Sequence, residues 1–227
     1  MIGSWQAPLP NGGNSEELLV SFDNHRAVRM LVLPAWFDEA NKLRRFTVEV
    51  MRRLDGAGVD SFLPDLPGCN ESLAPLAEQT IETWREAALA AAEAASATHL
   101  LTIRSGALIA PPDLSGWRYA PHPGAKLLRG MIRARTIAAR EQGLEETSEH
   151  LMELGLRQGL SLGGWNIGPQ MIKELEATEA GASDTQVEIA QSTLGGPGLW
   201  LRAEPDENAA QADALAAIIA LAVSDKT

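Results

Sequence analysis

Apolar runs and amphipathic stretches alternate through the first half of the chain. Short, nearly continuous apolar runs predict strands at residues 18–22, 28–34, 59–64 and 98–103. Between these runs, apolar side chains recur at helical spacing, which predicts one helix from an N-cap at Asn41 to about residue 55 and another at residues 76–96. Strands that alternate with crossover helices are typical of a parallel sheet. We therefore predict an α/β fold whose mostly parallel sheet is flanked by helices.

Helical periodicity dominates the second half of the chain. We predict a mostly helical, cap-like section at residues 122–180 and a last helix at residues 209–223. The remaining apolar runs predict strands at residues 116–120, 186–190 and 198–203. Residues 1–14 are rich in Gly, Pro and Asn, which predicts a flexible arm. With 227 residues, of which 45% are hydrophobic, the chain can bury one substantial core, and we expect a single domain over residues 1–227.

The net charge of the chain argues against some classes of binding partner. The 30 Asp and Glu outnumber the 19 Lys and Arg, which gives a formal net charge of −11. Nucleic acids and anionic membrane surfaces bind clustered basic residues, so we expect neither as the main partner. The N-terminus resembles no secretory signal, and residues 209–223 are too short and too polar to span a bilayer. A single cysteine, Cys69, excludes an intramolecular disulfide, and we expect a cytoplasmic protein.

The candidate chemistry lies at residues 98–110, where an apolar strand leads into a turn of small residues. In α/β-hydrolases, a G-x-S-x-G sequence presents the nucleophilic serine on such a strand-to-helix turn. Here the corresponding five residues read Thr102-Ile103-Arg104-Ser105-Gly106. A guanidinium stays protonated and cannot attack a carbonyl carbon, so Arg104 cannot be that nucleophile. The pattern therefore predicts the scaffold of a hydrolase without its reacting oxygen.

Three segments carry the motifs of a known family. They are LVLPAWFDEANKLRR at residues 31–45, DLPGCNES at residues 65–72 and RSGAL at residues 104–108. Together with residues 122–135 and 163–175, they resemble the α/β-hydrolase-like proteins associated with the exosortase A system, in particular its second-type hydrolase. In that family they correspond to the oxyanion-loop strand, a turn, the elbow and two later helices. The resemblance implies an α/β-hydrolase fold, a Gram-negative cytoplasm, and a link to exopolysaccharide production and the sorting of PEP-CTERM proteins.

Three features depart from a conventional serine hydrolase. The His-Gly pair of the family's oxyanion loop is replaced by Pro34-Ala35, and Arg104 stands at the nucleophile position. The base histidine of this fold follows the last strand, whereas no histidine follows residue 198 here. The four histidines of the chain are His25, His99, His122 and His150. We therefore predict a protein that lacks the conventional Ser-His-acid triad.

Arg104 is the main candidate for ligand binding. A guanidinium beside the helical turn that begins at Ser105 suits a small anion such as a carboxylate or a phosphate, and Trp36 of the oxyanion-like loop would line the same pocket. Alternatively, Arg104 pairs internally with Asp38, Glu39 or another acidic residue and fills the place of the active site. Ser105 is a fallback catalytic nucleophile if a base lies within hydrogen-bond reach, and otherwise a small residue or N-cap of the turn.

The remaining candidates favour structural roles. Cys69 has no neighbour in sequence that would stabilise a thiolate, so we interpret it as a buried turn residue. No metal-binding spacing of His or Cys and no glycine-rich phosphate loop occurs, so we expect no metal and no cofactor. The arginines of the helix predicted at residues 127–142 favour a solvated face over an acidic partner, and Trp117, Trp165 and Trp200 favour core positions.

Three functional hypotheses are compatible with this pattern. The first is a binding or accessory protein linked to exosortase and exopolysaccharide functions, which holds a small anion at Arg104. The alternative is an active esterase or thioesterase that hydrolyses a small acyl ester at an unconventional site around Ser105. The third is a scaffold whose helical section docks a protein partner or a second copy of the chain.

Overall fold

Strands and helices alternate along most of the chain. The computed structural model describes residues 1–224. The strands within this range are β1 (Ile2–Pro8), β2 (Asn14–Phe22), β3 (Arg29–Leu33), β4 (Asp60–Pro64), β5 (His99–Ile103), β6 (Gly116–Tyr119), β7 (Leu160–Leu162), β8 (Trp165–Ile167) and β9 (Gln186–Ile189). The helices are α1 (Asp38–Gly56), α2 (Ile81–Ala94), α3 (Gly124–Glu141), α4 (Ser148–Gln158), α5 (Pro169–Ala177), α6 (Gln191–Leu194) and α7 (Ala209–Ser224). Short 3₁₀ turns form at Leu76–Glu78, Arg104–Ile109 and Leu199–Leu201.

A seven-stranded sheet organises the fold, with the strand order β1-β2-β4-β3-β5-β6-β9. The first two neighbouring pairs, β1 with β2 and β2 with β4, are antiparallel. The other four neighbouring pairs are parallel. β7 and β8 form a separate antiparallel hairpin. The predicted α/β fold with a mostly parallel sheet is therefore confirmed.

Helices cover both faces of this sheet, because successive side chains of a strand point to opposite faces. On β5, Leu100 belongs to a core formed with α2, α3 and α5, whereas Leu101 belongs to a core formed with α1 and α7. On β3, Leu31 belongs to the core on the α2 side, and Met30 belongs to the core on the α1 side. Burial on both faces explains why the central strands are continuous apolar runs rather than alternating ones.

The section at residues 122–180 consists of α3, α4, the β7–β8 hairpin and α5. α3 packs against α4 and α5, and α5 also contacts α2, so this section lies on the same side of the sheet as α2. Its apolar residues Leu128, Leu151 and Leu175 are fully buried. None of the helices within residues 1–224 combines the length and the hydropathy that a membrane crossing requires.

The arm predicted at residues 1–14 is wrong, because this segment forms β1 and the first residue of β2. β1 pairs with β2 from Ile2 opposite Val20 to Pro8 opposite Asn14. Trp5 and Ala7 are buried against the α2 side of the sheet. The Pro, Gly and Asn residues that suggested an arm form the tight turn between the two strands instead.

Two further boundaries differ from the prediction. Residues 198–203 form no strand but a 3₁₀ turn at Leu199–Leu201, since Leu199 turns inward and is buried beside α1 and α7. α1 begins at Asp38 rather than after Asn41, because Phe37 adopts a positive φ of 54° and redirects the chain four residues earlier. Two acidic residues, Asp38 and Glu39, then occupy the first turn of α1, where they interact favourably with the helix dipole.

The turn after β5 packs closely against the end of β3. A β-carbon built on Gly106 would lie 2.5 Å from the carbonyl oxygen of Leu33 and 2.6 Å from that of Pro34. Real β-carbons do not approach backbone oxygens so closely, so only glycine fits here without a backbone shift. Gly106 therefore sets the distance between the β5 turn and the loop after β3.

We expect Gly106→Ala to lower the free energy of unfolding by about 1–3 kcal/mol, because the added methyl group must displace backbone atoms. Gly130→Ala is the matched control. Gly130 lies within α3 with open space around it, and the same substitution there should raise stability by up to about 1 kcal/mol. Urea denaturation of both variants measures the difference. Equal stability of the two variants would contradict the close packing of the β5 turn.

Candidate functional site

The chain makes a strained turn at Arg104, directly after β5. Arg104 has a φ of 54°, and residues Arg104–Ile109 continue as a 3₁₀ turn. A positive φ is uncommon for a residue other than glycine. It occurs here at the position where α/β-hydrolases place the nucleophile on a sharp strand-to-helix turn. The backbone of the elbow is therefore present, although an arginine occupies its apex.

An ion pair encloses the side chain of Arg104. Its Nε and Nη2 atoms donate to the two carboxylate oxygens of Glu39, over 3.0 and 2.9 Å. Its Nη1 atom donates to the carbonyl oxygen of Ala120 over 3.0 Å. The ring of Trp200 covers the guanidinium at 3.9 Å. Only 9% of the Arg104 side chain and 14% of the Glu39 side chain are exposed, so this pair is largely withdrawn from water.

The internal pairing considered for Arg104 is thus present, with Glu39 as the partner and not Asp38. Both hydrogen bonds run in parallel to one carboxylate, which is the strong bidentate arrangement of arginine with acidic groups. Three of the five guanidinium N–H groups are used by Glu39 and Ala120. Direct contact of Arg104 with an anion remains a prediction.

Trp200 approaches Arg104 from the last loop of the described chain. In α/β-hydrolases, the residue that reaches the nucleophile from late in the chain is the base histidine. Here an indole ring stacks on the guanidinium instead. The ring of Tyr119 lies 6.1 Å from that of Trp200, and burial raises the pKa of the Tyr119 phenol. Tyr119 donates its hydroxyl hydrogen to Gln191, which follows β9.

Ser105 and Trp36 contact each other directly. The Oγ atom of Ser105 accepts a hydrogen bond from the backbone N–H of Trp36 over 2.9 Å. In hydrolases, a backbone N–H from this loop serves the oxyanion hole, so a side chain now occupies that donor. Ser105 is fully buried, and neither His122 nor His150 hydrogen-bonds to it within the described residues. The geometry therefore does not favour Ser105 as a nucleophile.

A cleft of about 380 Å³ opens above this arrangement, at the carboxyl end of the sheet. We call it the Lys126 cleft. Its polar lining comes from Asp38, Glu39, His122 and Lys126. Its apolar lining comes from residues of α3, the β7–β8 hairpin and two loops: Phe37, Leu127, Met131, Leu162, Trp165 and Trp200. Trp165 and Trp200 are half-buried: they pack against the two cores and also form part of the cleft wall, whereas Trp117 is buried in the core.

The charges of the Lys126 cleft are unevenly balanced. Glu39 is paired with Arg104, and Asp38 is paired with Lys42 over 2.7 Å. Lys126 is exposed and makes no ion pair within residues 1–224. Burial, together with the nearby charges of Arg104 and Lys126, lowers the pKa of His122, while Glu39 opposes this change. The free charge of the cleft is therefore the ammonium group of Lys126.

The sequence did not reveal Lys126 as a site residue. Its position on α3 predicts only an exposed face, and the cleft exists because α3 lies over the loop after β3. The ligand-binding residues predicted from the sequence, Trp36, Arg104 and Ser105, do not line this cleft. Trp36 lines a second cavity on the other side of Phe37, together with Cys69. No group of three His, Cys, Asp or Glu side chains within residues 1–224 is placed to hold a metal ion.

Comparison with solved structures identifies the architecture. The alpha/beta hydrolase domain-containing protein 10 from mouse matches with a TM-score of 0.61, at 13% identity, over 100% of both chains. A protein described as a hydrolase, from Agrobacterium vitis S4, matches with a TM-score of 0.54, at 14% identity, over 99% of this chain and 98% of its own. Est1E from Butyrivibrio proteoclasticus matches with a TM-score of 0.50, at 15% identity, over 78% of this chain and 71% of its own.

These likenesses establish that the chain has the α/β-hydrolase fold. No protein-family model matches the chain, and no curated protein matches it. At such low identity the likeness concerns the fold alone, so the function has to be argued from the site itself.

We expect Glu39→Ala to lower the free energy of unfolding by about 3 kcal/mol, because it leaves the buried Arg104 guanidinium without its carboxylate. Asp38→Ala is the matched control, since Asp38 also lies in the first turn of α1 but pairs with Lys42 at the surface. This control should cost at most about 1 kcal/mol. Thermal or urea unfolding compares the two variants, and a loss of the same size in both would refute the buried pair.

We expect the Cys69 thiol to react slowly with iodoacetamide in the folded protein. Burial raises its pKa, and the charges of Asp65 and Glu17 raise it further, so little reactive thiolate forms at neutral pH. Unfolding in urea removes these effects and should speed alkylation by at least about tenfold. Mass spectrometry at several times follows the reaction. Equal rates in the folded and unfolded protein would show that the thiol is not perturbed.

Proposed function

We propose that this protein is a cytoplasmic binding or accessory protein of the α/β-hydrolase fold that does not hydrolyse esters. In this proposal, the Lys126 cleft holds a small anionic molecule that carries an apolar part. The observation that carries the proposal is the enclosed Arg104–Glu39 pair at the apex of the elbow. It fills the place of a nucleophile with a group that has no nucleophilic atom.

The surroundings of the elbow support a non-hydrolytic role. Nucleophilic catalysis by serine needs a base within hydrogen-bond reach of the hydroxyl and donors for the developing oxyanion. The hydroxyl of Ser105 is buried, and it accepts the N–H of Trp36 that would otherwise face an oxyanion. An ester hydrolase that uses Ser105 is therefore not favoured by this geometry.

The charge of the cleft supports an anionic ligand. Lys126 is the cation of the lining that has no carboxylate partner within the described chain, and both acidic residues of the lining are already paired. Phe37, Met131 and Trp165 provide apolar surface beside it. A ligand with a carboxylate or phosphate and an apolar body would satisfy both features at once.

Arg104 supports this binding through Glu39. An unpaired carboxylate at Glu39 would repel an anion in the cleft, because like charges in a partly buried site are poorly screened. The bidentate pair neutralises that carboxylate and holds it still. The anion then contacts Lys126 and His122, and Arg104 acts indirectly, by cancelling the charge of Glu39. Protonation of His122 at lower pH would strengthen the same contact.

The cellular role is proposed from the sequence. Residues 31–45 and 65–72 resemble the exosortase A-associated hydrolase-like proteins, which supports an accessory function in exosortase and exopolysaccharide biology. A protein that binds but does not turn over a small molecule would act there by carrying or sensing that molecule. This link rests on the resemblance, whereas the binding proposal rests on the cleft.

Calorimetric titration with benzoate and phenyl phosphate tests the binding proposal, with neutral benzamide as the uncharged probe. We expect one of the two anions to bind and benzamide to bind more weakly. Lys126→Met should weaken anion binding by about tenfold, because it removes a charged hydrogen-bond donor but keeps the length of the side chain. Arg129→Met is the matched control. Arg129 is an exposed cation on the same helix outside the cleft, and its loss should change the affinity little.

Hydrolysis of p-nitrophenyl acetate, measured with the same protein preparations, tests whether the protein is an ester hydrolase. We expect no turnover by the unsubstituted protein. Turnover that is lost in Ser105→Ala, with folding intact by circular dichroism, would instead establish an ester hydrolase. Equal affinity of the anions for the Lys126→Met and Arg129→Met variants would refute the Lys126 cleft as the binding site.

A further inference from the structure

The outer face of α3 carries a row of arginines. Arg129, Arg133 and Arg140 are exposed, and at 3.6 residues per turn they lie within about 40° of one another around the helix axis. Ile137, which is 50% exposed, lies on the same face between Arg133 and Arg140. Within residues 1–224, none of these three arginines forms an ion pair. We call Arg129, Arg133, Ile137 and Arg140 the α3 stripe.

These unpaired cations belong to an acidic chain. The formal net charge is −11, and most Lys and Arg side chains within residues 1–224 pair with Asp or Glu. Arg129 and Arg133 are four positions apart on one helix, where like charges repel each other. An acidic surface placed against the α3 stripe removes this repulsion. The α3 stripe therefore favours a partner surface that carries carboxylates at a matching spacing.

The outer face of α2 carries the complementary charges. Glu82, Glu86 and Glu93 are exposed and also lie within about 40° of one another around the helix axis. Leu89, which is 48% exposed, lies on the same face between Glu86 and Glu93. Glu82 shares a surface ion pair with Arg85, whereas Glu86 and Glu93 make none within the described part of the chain. We call Glu82, Glu86, Leu89 and Glu93 the α2 stripe.

The charged residues of the two stripes have the same spacing. In each stripe, the second charged residue follows the first by four positions, and the third follows the first by eleven. The exposed apolar residue lies between the second and the third charge in both stripes. Two such helices, laid side by side and parallel, bring these residues opposite each other: Arg129 and Glu82, Arg133 and Glu86, Ile137 and Leu89, and Arg140 and Glu93. The matched segment is about 16 Å long at 1.5 Å per residue.

The two stripes of one molecule do not pair with each other. Both are exposed, and no ion pair of the described residues joins them. α2 and α3 nevertheless lie on the same side of the sheet, and both contact α5. A two-fold dimer uses the same surface of both copies, so a dimer formed across this side contains the contact between the stripes twice. The second contact doubles an interface that one pair of helices alone would leave small.

We propose that the protein forms a two-fold dimer in which the α3 stripe of each copy binds the α2 stripe of the other. Exposed ion pairs contribute little each, so this dimer is weak and sensitive to salt. The charge of −11 on each copy opposes association, and the stripes select the one orientation in which opposite charges meet. The sequence alone favoured a solvated face for these arginines, because the matching carboxylates lie on another helix. The dimer does not depend on the ligand of the Lys126 cleft.

Analytical ultracentrifugation of the full chain, at protein concentrations up to about 300 µM and low salt, tests this interface. We expect a monomer–dimer equilibrium whose Kd rises several-fold when NaCl is raised from about 50 mM to about 500 mM. Arg133→Glu should raise the Kd at least about tenfold, because like charges then face each other at both contacts of the dimer. Glu86→Arg should do the same. The double variant Arg133→Glu/Glu86→Arg should restore the dimer to within about threefold, because the opposite charges are only exchanged.

Arg52→Glu is the matched control for the change in net charge. Arg52 lies on α1, on the opposite side of the sheet, and 63% of its side chain is exposed, so its reversal should leave the Kd unchanged. Circular dichroism verifies that each variant is folded. A monomer over the whole concentration range would overturn the proposal and leave the α3 stripe to another acidic partner. A dimer that Arg133→Glu weakens no more than Arg52→Glu does, or that the double variant fails to restore, would overturn it as well.

Discussion

The bidentate contact between Arg104 and Glu39 joins three parts of the fold at one point. Arg104 belongs to the turn after β5, Glu39 to the first turn of α1, and Ala120, which accepts the third hydrogen bond, follows β6. The indole of Trp200 covers the guanidinium, and little of either charged side chain is exposed to water. A pair of this kind is weak evidence for added stability, but it strongly disfavours any arrangement that separates the charges. The carboxyl end of the sheet is organised around it.

Two cavities flank this point, and their chemistry differs. Phe37 and Trp165 line both, and their rings meet edge to face at 5.7 Å, so an aromatic wall separates the two spaces. On one side the free group is the ammonium of Lys126. On the other side the polar lining includes Arg44, Asp65 and Glu71.

The central strands could be predicted to within a residue or two, because β3, β4 and β5 are buried on both faces and so read as continuous apolar runs. β1 could not be predicted in this way, because it lies at the edge of the sheet and is not a continuous apolar run: Ile2 is exposed, whereas Trp5 is buried. Arg104 could be located from its place after β5. Its partner could be given only as an acidic residue, with Asp38 and Glu39 as the named candidates. The roles of Lys126 and Trp200 depend on how α3 and the last loop pack, and no local sequence pattern contains that information.

The left-handed backbone at Arg104 has a consequence for the dynamics of the site. A non-glycine residue in that region costs of order 1–3 kcal/mol and persists only where its surroundings determine it fully. Here the close approach of Gly106 to the end of β3 imposes the turn. The three hydrogen bonds of the guanidinium fix the side chain of Arg104. Arg104 therefore has little conformational entropy left to lose. The turn after β5 and the first turn of α1 are therefore held in one arrangement at the carboxyl end of the sheet.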